Sequence, residues 1–231
     1  MGVGKTTVDS VDVDQQRWYR VGGIAAFVLG VSYIIIIFLY ARVGAPPTGG
    51  GEAWFRYLPG KTTIWWAILA LSVLTDFLFV PVAFALYLAL KEANRNAMLA
   101  TAFVGLFVVL DLAVTWSHYA SMLVLYSNYF RTTDAMQRTA YVAAANYASA
   151  VLASPLEIVY AIVTLSFGIL IIGFVMLRGV FTKITAYLGL ATGILGIVSL
   201  TGLSVAIIMN ALFATAWILV VGYRLCRLAR E

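Results

Sequence analysis

Long apolar segments dominate the sequence, and they restrict the chain to a membrane-embedded helical fold. Residues 62–90 and 97–130 are two such segments in succession, each longer than the roughly 20 residues that cross a bilayer as a helix. Only 11% of the 231 residues are charged, and the mean hydropathy is +0.96. A soluble domain has about 25% charged residues. We therefore predict an all-α integral membrane protein.

Six segments have the length and apolar character of spanning helices: residues 21–41, 62–90, 97–130, 155–177, 184–200 and 204–223. A less apolar helix, residues 135–153, is predicted outside the membrane or at its interface. A seven-span alternative, in which this segment also crosses, disturbs the distribution of basic residues and ranks lower. The predicted fold is a polytopic bundle of six transmembrane helices plus one extramembrane or interfacial helix. It forms one domain, residues 17–231, after a disordered cytoplasmic tail, residues 1–16.

The distribution of Lys and Arg predicts the orientation of this bundle. Six spans put both termini on one side, together with Lys5, Arg17, Arg20, Lys91, Arg95, Arg178, Lys183, Arg224, Arg227 and Arg230. The other side has only Arg42, Arg56, Lys61, Arg131 and Arg138. By the positive-inside rule both termini are cytoplasmic, in a prokaryotic inner or plasma membrane. The net charge of +5 reflects this topology, so we expect the lipid bilayer as partner and no nucleic acid.

Two stretches of the chain carry a family resemblance. The first is Val82-Ala83-Phe84-Ala85-Leu86-Tyr87-Leu88-Ala89-Leu90-Lys91, followed by Asn94-Arg95 and a second apolar helix. The second is Phe181-Thr182-Lys183, leading into Tyr187-Leu188-Gly189-Leu190 and a glycine-rich helix. Together they resemble a prokaryotic family of six-helix integral membrane proteins known as a domain of unknown function. The resemblance covers about residues 18–228. It implies the six-helix fold and brings no activity, cofactor or catalytic residue.

Ionisable side chains inside the apolar segments are the first candidates for a functional site, because burying them in a membrane is costly. Asp76 lies in the second predicted span, and Asp111 and His118, the only histidine, lie in the third. Counting outward from the turn between these spans places the two aspartates at equal depth and His118 near the outer boundary. Glu157 is expected at that boundary too. There it suits a capping box that starts the fourth span better than it suits a ligand site.

The spacing of the polar residues predicts which side chains share a helix face. Asp111, Thr115 and His118 follow i, i+4, i+7 spacing, and Ser72 and Asp76 follow i, i+4 spacing. Two carboxyl groups at one depth in a low-dielectric site cannot both ionise without a large free-energy cost, so they should titrate as a pair. The sharper hypothesis is an outward-facing pocket for a proton, a cation or a small polar ligand. The alternative is that each group hydrogen-bonds to a neighbouring helix and only fixes packing.

Several enzyme classes lack the residues they need. No lysine lies deep within a span to anchor retinal. One histidine provides neither the set of histidine ligands of a zinc hydrolase nor the paired axial ligands of a membrane b-type haem. Cys226 is the only cysteine, so a thiolate cluster within one chain is excluded. We predict no cofactor and leave enzymatic activity uncertain but disfavoured. The first functional hypothesis is binding or transport through the acidic pocket. The second is an accessory membrane subunit that docks a protein partner through its extended outer helices.

Overall fold

The computed structural model describes the backbone of residues 6–231, and it describes their side chains except in residues 6–12, 156–158, 160–162 and 204. This part of the chain is 85% helix and contains no strand, which confirms the all-α class. In chain order the elements are α1 Thr6–Val43, α2 Gly51–Tyr57, α3 Thr62–Asn94, a 3-10 turn Ala97–Ala100, α4 Thr101–Leu110, a π-turn Asp111–Trp116, α5 Ser117–Arg131, α6 Ala135–Leu152, α7 Pro155–Met176, α8 Lys183–Ser199 and α9 Ser204–Leu228.

Four helical stretches among the described residues are long and apolar enough to cross a membrane: Val13–Val43, Thr62–Asn94, Ala97–Arg131 and Val205–Leu228. Shorter apolar helices occupy Val163–Met176 and Lys183–Ser199. The exposed side chains of the long stretches are large and hydrophobic at many positions, including Phe38, Phe77 and Val109. Such surfaces suit a lipid environment, and they indicate a membrane-embedded protein.

The helix boundaries agree with the sequence at some points and differ at others. Helix α6 begins at Ala135, where Asp134 Oδ1 accepts a hydrogen bond from the Met136 N–H at 2.9 Å, as an N-cap should. Helix α7 begins at Pro155, as predicted. Helix α1 begins at Thr6 rather than near residue 21, and residues 1–5 lie outside the described residues.

The chain divides into two compact units. The first comprises Met1–Val31, Phe77–Val108 and Ile162–Glu231, and the second comprises Ser32–Asp76 and Val109–Ala161. The first unit is held together by close contacts at small residues. A Cβ added at Gly23 would lie 2.5 Å from Cys226 Sγ, and one added at Gly193 would lie 2.8 Å from Leu170 Cβ. Helices α1 and α9, and likewise α7 and α8, thus approach more closely than larger side chains permit.

The second unit is built around an aromatic cluster. Trp54 and Trp65 are almost fully buried, and both rings contact Tyr119, with centroid distances of 5.8 Å and 5.1 Å. Phe55 also lies in the interior of this unit, next to Trp54. The aromatic segment, residues 53–57, therefore contributes to the core of the second unit.

Helix α2 docks on α6 through one glycine and one asparagine. A Cβ added at Gly51 would lie 2.6 Å from Ala145 Cβ, so only glycine permits this approach. Asn146 Oδ1 accepts a hydrogen bond from the Gly51 N–H at 2.7 Å. This bond satisfies one of the N–H groups that a helix leaves unpaired at its start. Asn146 therefore fixes the start of α2, which carries Trp54 into the aromatic cluster.

Candidate functional site

A π-turn, Asp111–Trp116, interrupts the long apolar helix between α4 and α5. In an α-helix, residues five apart point about 140° away from each other. A π-turn bonds each residue to the fifth one along, so their side chains lie on one face. This geometry lets the Trp116 indole Nε1–H donate to Asp111 Oδ2 at 2.9 Å. π-Turns are frequent at functional sites, and this one begins at a buried carboxyl.

Two side chains that follow the π-turn satisfy carbonyl groups inside it. Ser117 Oγ donates to the Ala113 carbonyl oxygen at 2.5 Å, and His118 Nδ1 lies 2.5 Å from the Val114 carbonyl oxygen. Because a carbonyl oxygen only accepts, Nδ1 must carry the hydrogen. In the neutral ring, Nε2 is then the acceptor. Ser117 and His118 thereby stabilise the irregular backbone next to Asp111.

Asp76 on α3 and Asp111 in the π-turn form a buried carboxyl pair. Their exposed fractions are 3% and 8%, and the two groups interact electrostatically. Thr115 also hydrogen-bonds to the Asp111 carboxyl. Ser72 is buried one turn from Asp76. In the structure, Asp76 and Asp111 interact with each other, and Thr115 interacts with Asp111. These three residues belong to the pocket that helix spacing predicted.

The two carboxyls differ in their hydrogen bonds. Asp111 accepts from Trp116 and interacts with Thr115, whereas Asp76 Oδ2 is buried without a hydrogen-bond partner. Trp116 also interacts with the Asp76 carboxyl, but no donor reaches Oδ2. A buried carboxylate oxygen without a partner is strongly unfavourable, and such groups neutralise or bind an ion. Asp76 is therefore the carboxyl of the pair that we expect to take up a proton or an ion.

Helix α1 contributes two tyrosines that the sequence did not single out. Tyr33 interacts electrostatically with both carboxyls, and Tyr40 interacts with Asp111. Both are partly buried. A phenol hydroxyl inside a membrane helix needs a polar partner, so the isolated Tyr33 in its apolar segment was a usable signal. These residues make the site a junction of α1, α3 and the π-turn within the second unit.

His118 lies in a different part of the second unit. Its ring contacts Tyr147 of α6 at a centroid distance of 5.9 Å, and its hydrogen bonds involve Val114 and Ser117. Both rings line an open groove of about 490 Å³ between α5 and α6. The described contacts of His118 therefore connect it to this groove and to the π-turn backbone, and not to the carboxyl pair.

Glu157 lies in the first turn of α7, and its side chain is outside the described residues. Its proposed roles as a cap or a ligand stay predictions. Among the described residues, no three or more His, Cys, Asp or Glu side chains form a group that could hold a metal ion. Two carboxyls with hydroxyl and indole neighbours suit a proton or a monovalent cation better than Ca²⁺ or Mg²⁺, which take six or more oxygen ligands.

Comparison with protein-family models, with curated proteins and with solved structures finds no match for the chain.

Proposed function

We propose that the protein is an integral membrane protein that binds a proton, or in its place a monovalent cation, at the carboxyl pair Asp76 and Asp111. One observation carries the proposal. Asp76 is 3% exposed, interacts electrostatically with a second buried carboxyl and has an oxygen without a hydrogen-bond partner. Ionising both groups in an apolar site costs far more than sharing one proton between them. A packing role alone would favour fully hydrogen-bonded groups.

The proposal places six spans in a prokaryotic inner or plasma membrane, with both termini in the cytoplasm. The four long apolar stretches provide four of them. Helices α7 and α8 have 22 and 17 residues, or about 33 Å and 26 Å at 1.5 Å per residue. The first length crosses a hydrocarbon core of about 30 Å, and the second crosses with local thinning of the bilayer. The excess of basic residues on the terminal side supports this orientation.

A carbodiimide experiment tests the proposal. Dicyclohexylcarbodiimide partitions into apolar surroundings and reacts with a protonated carboxyl, whose O–H adds across one C=N bond to give an O-acylisourea; migration of the acyl group from oxygen to nitrogen then gives the stable N-acylurea. We expect labelling of the membrane-embedded wild-type protein. The double substitution Asp76→Asn with Asp111→Asn should abolish it, and the exposed Glu92→Gln should leave it unchanged. Added Na⁺ or K⁺ lowers the labelling if a cation replaces the proton, and choline serves as the ionic-strength control.

Transport requires a second measurement on the same variants. In liposomes with an internal pH dye, a carrier dissipates an imposed pH gradient and Asp76→Asn stops it, whereas a protein that only binds leaves the gradient intact. Absence of carbodiimide labelling in the wild type would contradict the proposal. The aspartates would then be packing groups, and the accessory-subunit hypothesis, with a protein partner on the outer helices, would take its place.

A further inference from the structure

We propose that Trp116, held in place by the π-turn, decides which carboxyl of the pair carries the proton: Asp111 is the carboxylate and Asp76 is the protonated acid. This inference rests on the proposed function and assigns separate roles to the two aspartates. Trp116 is thus a positioning residue that acts through Asp111. The sequence analysis gave Trp116 no part in the site.

The hydrogen bonds at Asp111 support the first half of this assignment. An indole N–H is only a donor, so Asp111 Oδ2, 2.9 Å from Trp116 Nε1, must be the acceptor. Hydrogen bonds to an ionised carboxylate are shorter and about twice as strong as those to a neutral group. Thr115 adds a second interaction with the same carboxyl. The negative charge of the pair is therefore stabilised most at Asp111.

The surroundings of Asp76 support the second half. Its Oδ2 has no hydrogen-bond partner among the described residues, it shares the Trp116 donor with Asp111 and has no second donor comparable to Thr115 in its electrostatics, and its charge interacts unfavourably with that of Asp111. The titratable groups that act on the pair from the neighbouring helix are Tyr33 and Tyr40 of α1. Both are neutral phenols at physiological pH, so neither supplies a positive charge that would offset a second carboxylate.

The π-turn is what makes this arrangement possible. Trp116 follows Asp111 by five residues, and in a regular α-helix its indole would point to another side of the helix. Ser117 and His118 satisfy the carbonyl groups of Ala113 and Val114, which stabilises the turn. The groove residue His118 is thereby connected to the site through the backbone, although its described contacts do not include either aspartate.

The test maps the carbodiimide label to each aspartate by peptide mass spectrometry, using the full-length protein in membranes. In the wild type we expect the label on Asp76. Trp116→Phe retains a ring against Tyr119, 5.6 Å away, and removes only the N–H donor. It should raise the ratio of Asp111 label to Asp76 label by about tenfold, the effect of one hydrogen bond to a charged group. Trp66→Phe, at a position 44% exposed, is the matched control and should leave the ratio unchanged.

A second pair of variants keeps the test decisive if Trp116→Phe does not fold. Asp111→Asn retains an oxygen that accepts from Trp116 and should preserve labelling at Asp76, whereas Asp76→Asn should abolish labelling although Asp111 is intact. More label on Asp111 than on Asp76 in the wild type, or a ratio that Trp116→Phe does not change, would overturn the inference while leaving the shared-proton site in place. No label on either aspartate would instead overturn the proposed function itself.

Discussion

Asp76→Leu and Asp111→Leu should change the stability of the protein in opposite directions. The two substitutions are chemically identical, and each removes one carboxyl of the same buried pair. Asp76→Leu removes an oxygen that has no hydrogen-bond partner. Asp111→Leu removes the acceptor of the Trp116 Nε1–H and leaves that part-buried donor without this bond. We therefore expect Asp76→Leu to stabilise the protein and Asp111→Leu to destabilise it.

The magnitude follows from the cost of an unsatisfied buried polar group, about 1–3 kcal/mol. Taking about 2 kcal/mol for each substitution separates the two variants by about 4 kcal/mol. For a chain of this length, 1 kcal/mol corresponds to roughly 2–4 °C in melting temperature, so the two midpoints should differ by roughly 8–16 °C. The loss of electrostatic interaction within the pair is common to both variants, so it cancels in the comparison.

The assay is thermal unfolding of the purified protein in one detergent at one pH, followed by tryptophan fluorescence and by the loss of the monodisperse size-exclusion peak. Asp76→Asn is the size-matched control, and its midpoint should lie close to that of the wild type. The reasoning is refuted if both leucine variants lower the midpoint by similar amounts, because the difference in hydrogen bonding between the two carboxyls would then have no energetic consequence.

Three further predictions concern the framework of the site. Gly193→Leu should sharply lower the melting temperature because its Cβ would lie 2.8 Å from Leu170 Cβ, whereas Gly105→Leu, with open space around it, should have little effect. Asn146→Ala removes the cap of α2 and should cost about 1 kcal/mol in unfolding free energy, measured by thermal unfolding. Burial raises the pKa of Tyr57 above its ordinary value of about 10. The stabilisation from the neutral Tyr57 side chain is therefore complete below a pH of about 10, and it is lost as the pH rises through the pKa that Tyr57 has in the folded protein. In melting curves recorded over a series of pH values, Tyr57→Phe should remove this loss of stability at alkaline pH.

The sequence predicted the regular parts of the fold because they follow from local rules. Apolar length marks the long helices, and a proline marks the start of α7. Helix α1 extends further toward the N-terminus than hydropathy indicated, because polar residues continue a helix that apolar residues establish. Hydropathy detects the part of a helix that suits lipid, and it does not detect where the helix itself begins.

The sequence could predict the candidate site only where the chain follows regular α-helical geometry. Counting residues from the turn after α3 placed Asp76 and Asp111 at one depth, and the structure has the two carboxyls interacting. The periodicity of 3.6 residues then placed His118 on the face of Asp111 and left Trp116 out. The π-turn changes that periodicity within six residues, so Trp116 reaches the carboxyl and His118 contacts Tyr147 instead. No proline or glycine marks the turn, and hydropathy therefore gave no sign of it.

The two hypotheses for the aspartates, ligand binding and packing, apply to different members of the pair. Asp111 meets the requirements of packing, because Trp116 and Thr115 satisfy it and the backbone is shaped to bring Trp116 there. Asp76 does not meet them, because its Oδ2 is buried without a hydrogen-bond partner. A buried acid that weakens the fold suits a group that must gain and lose a proton or an ion, since binding sites commonly give up stability for function. The asymmetry of the pair is thus the physical argument for a functional site.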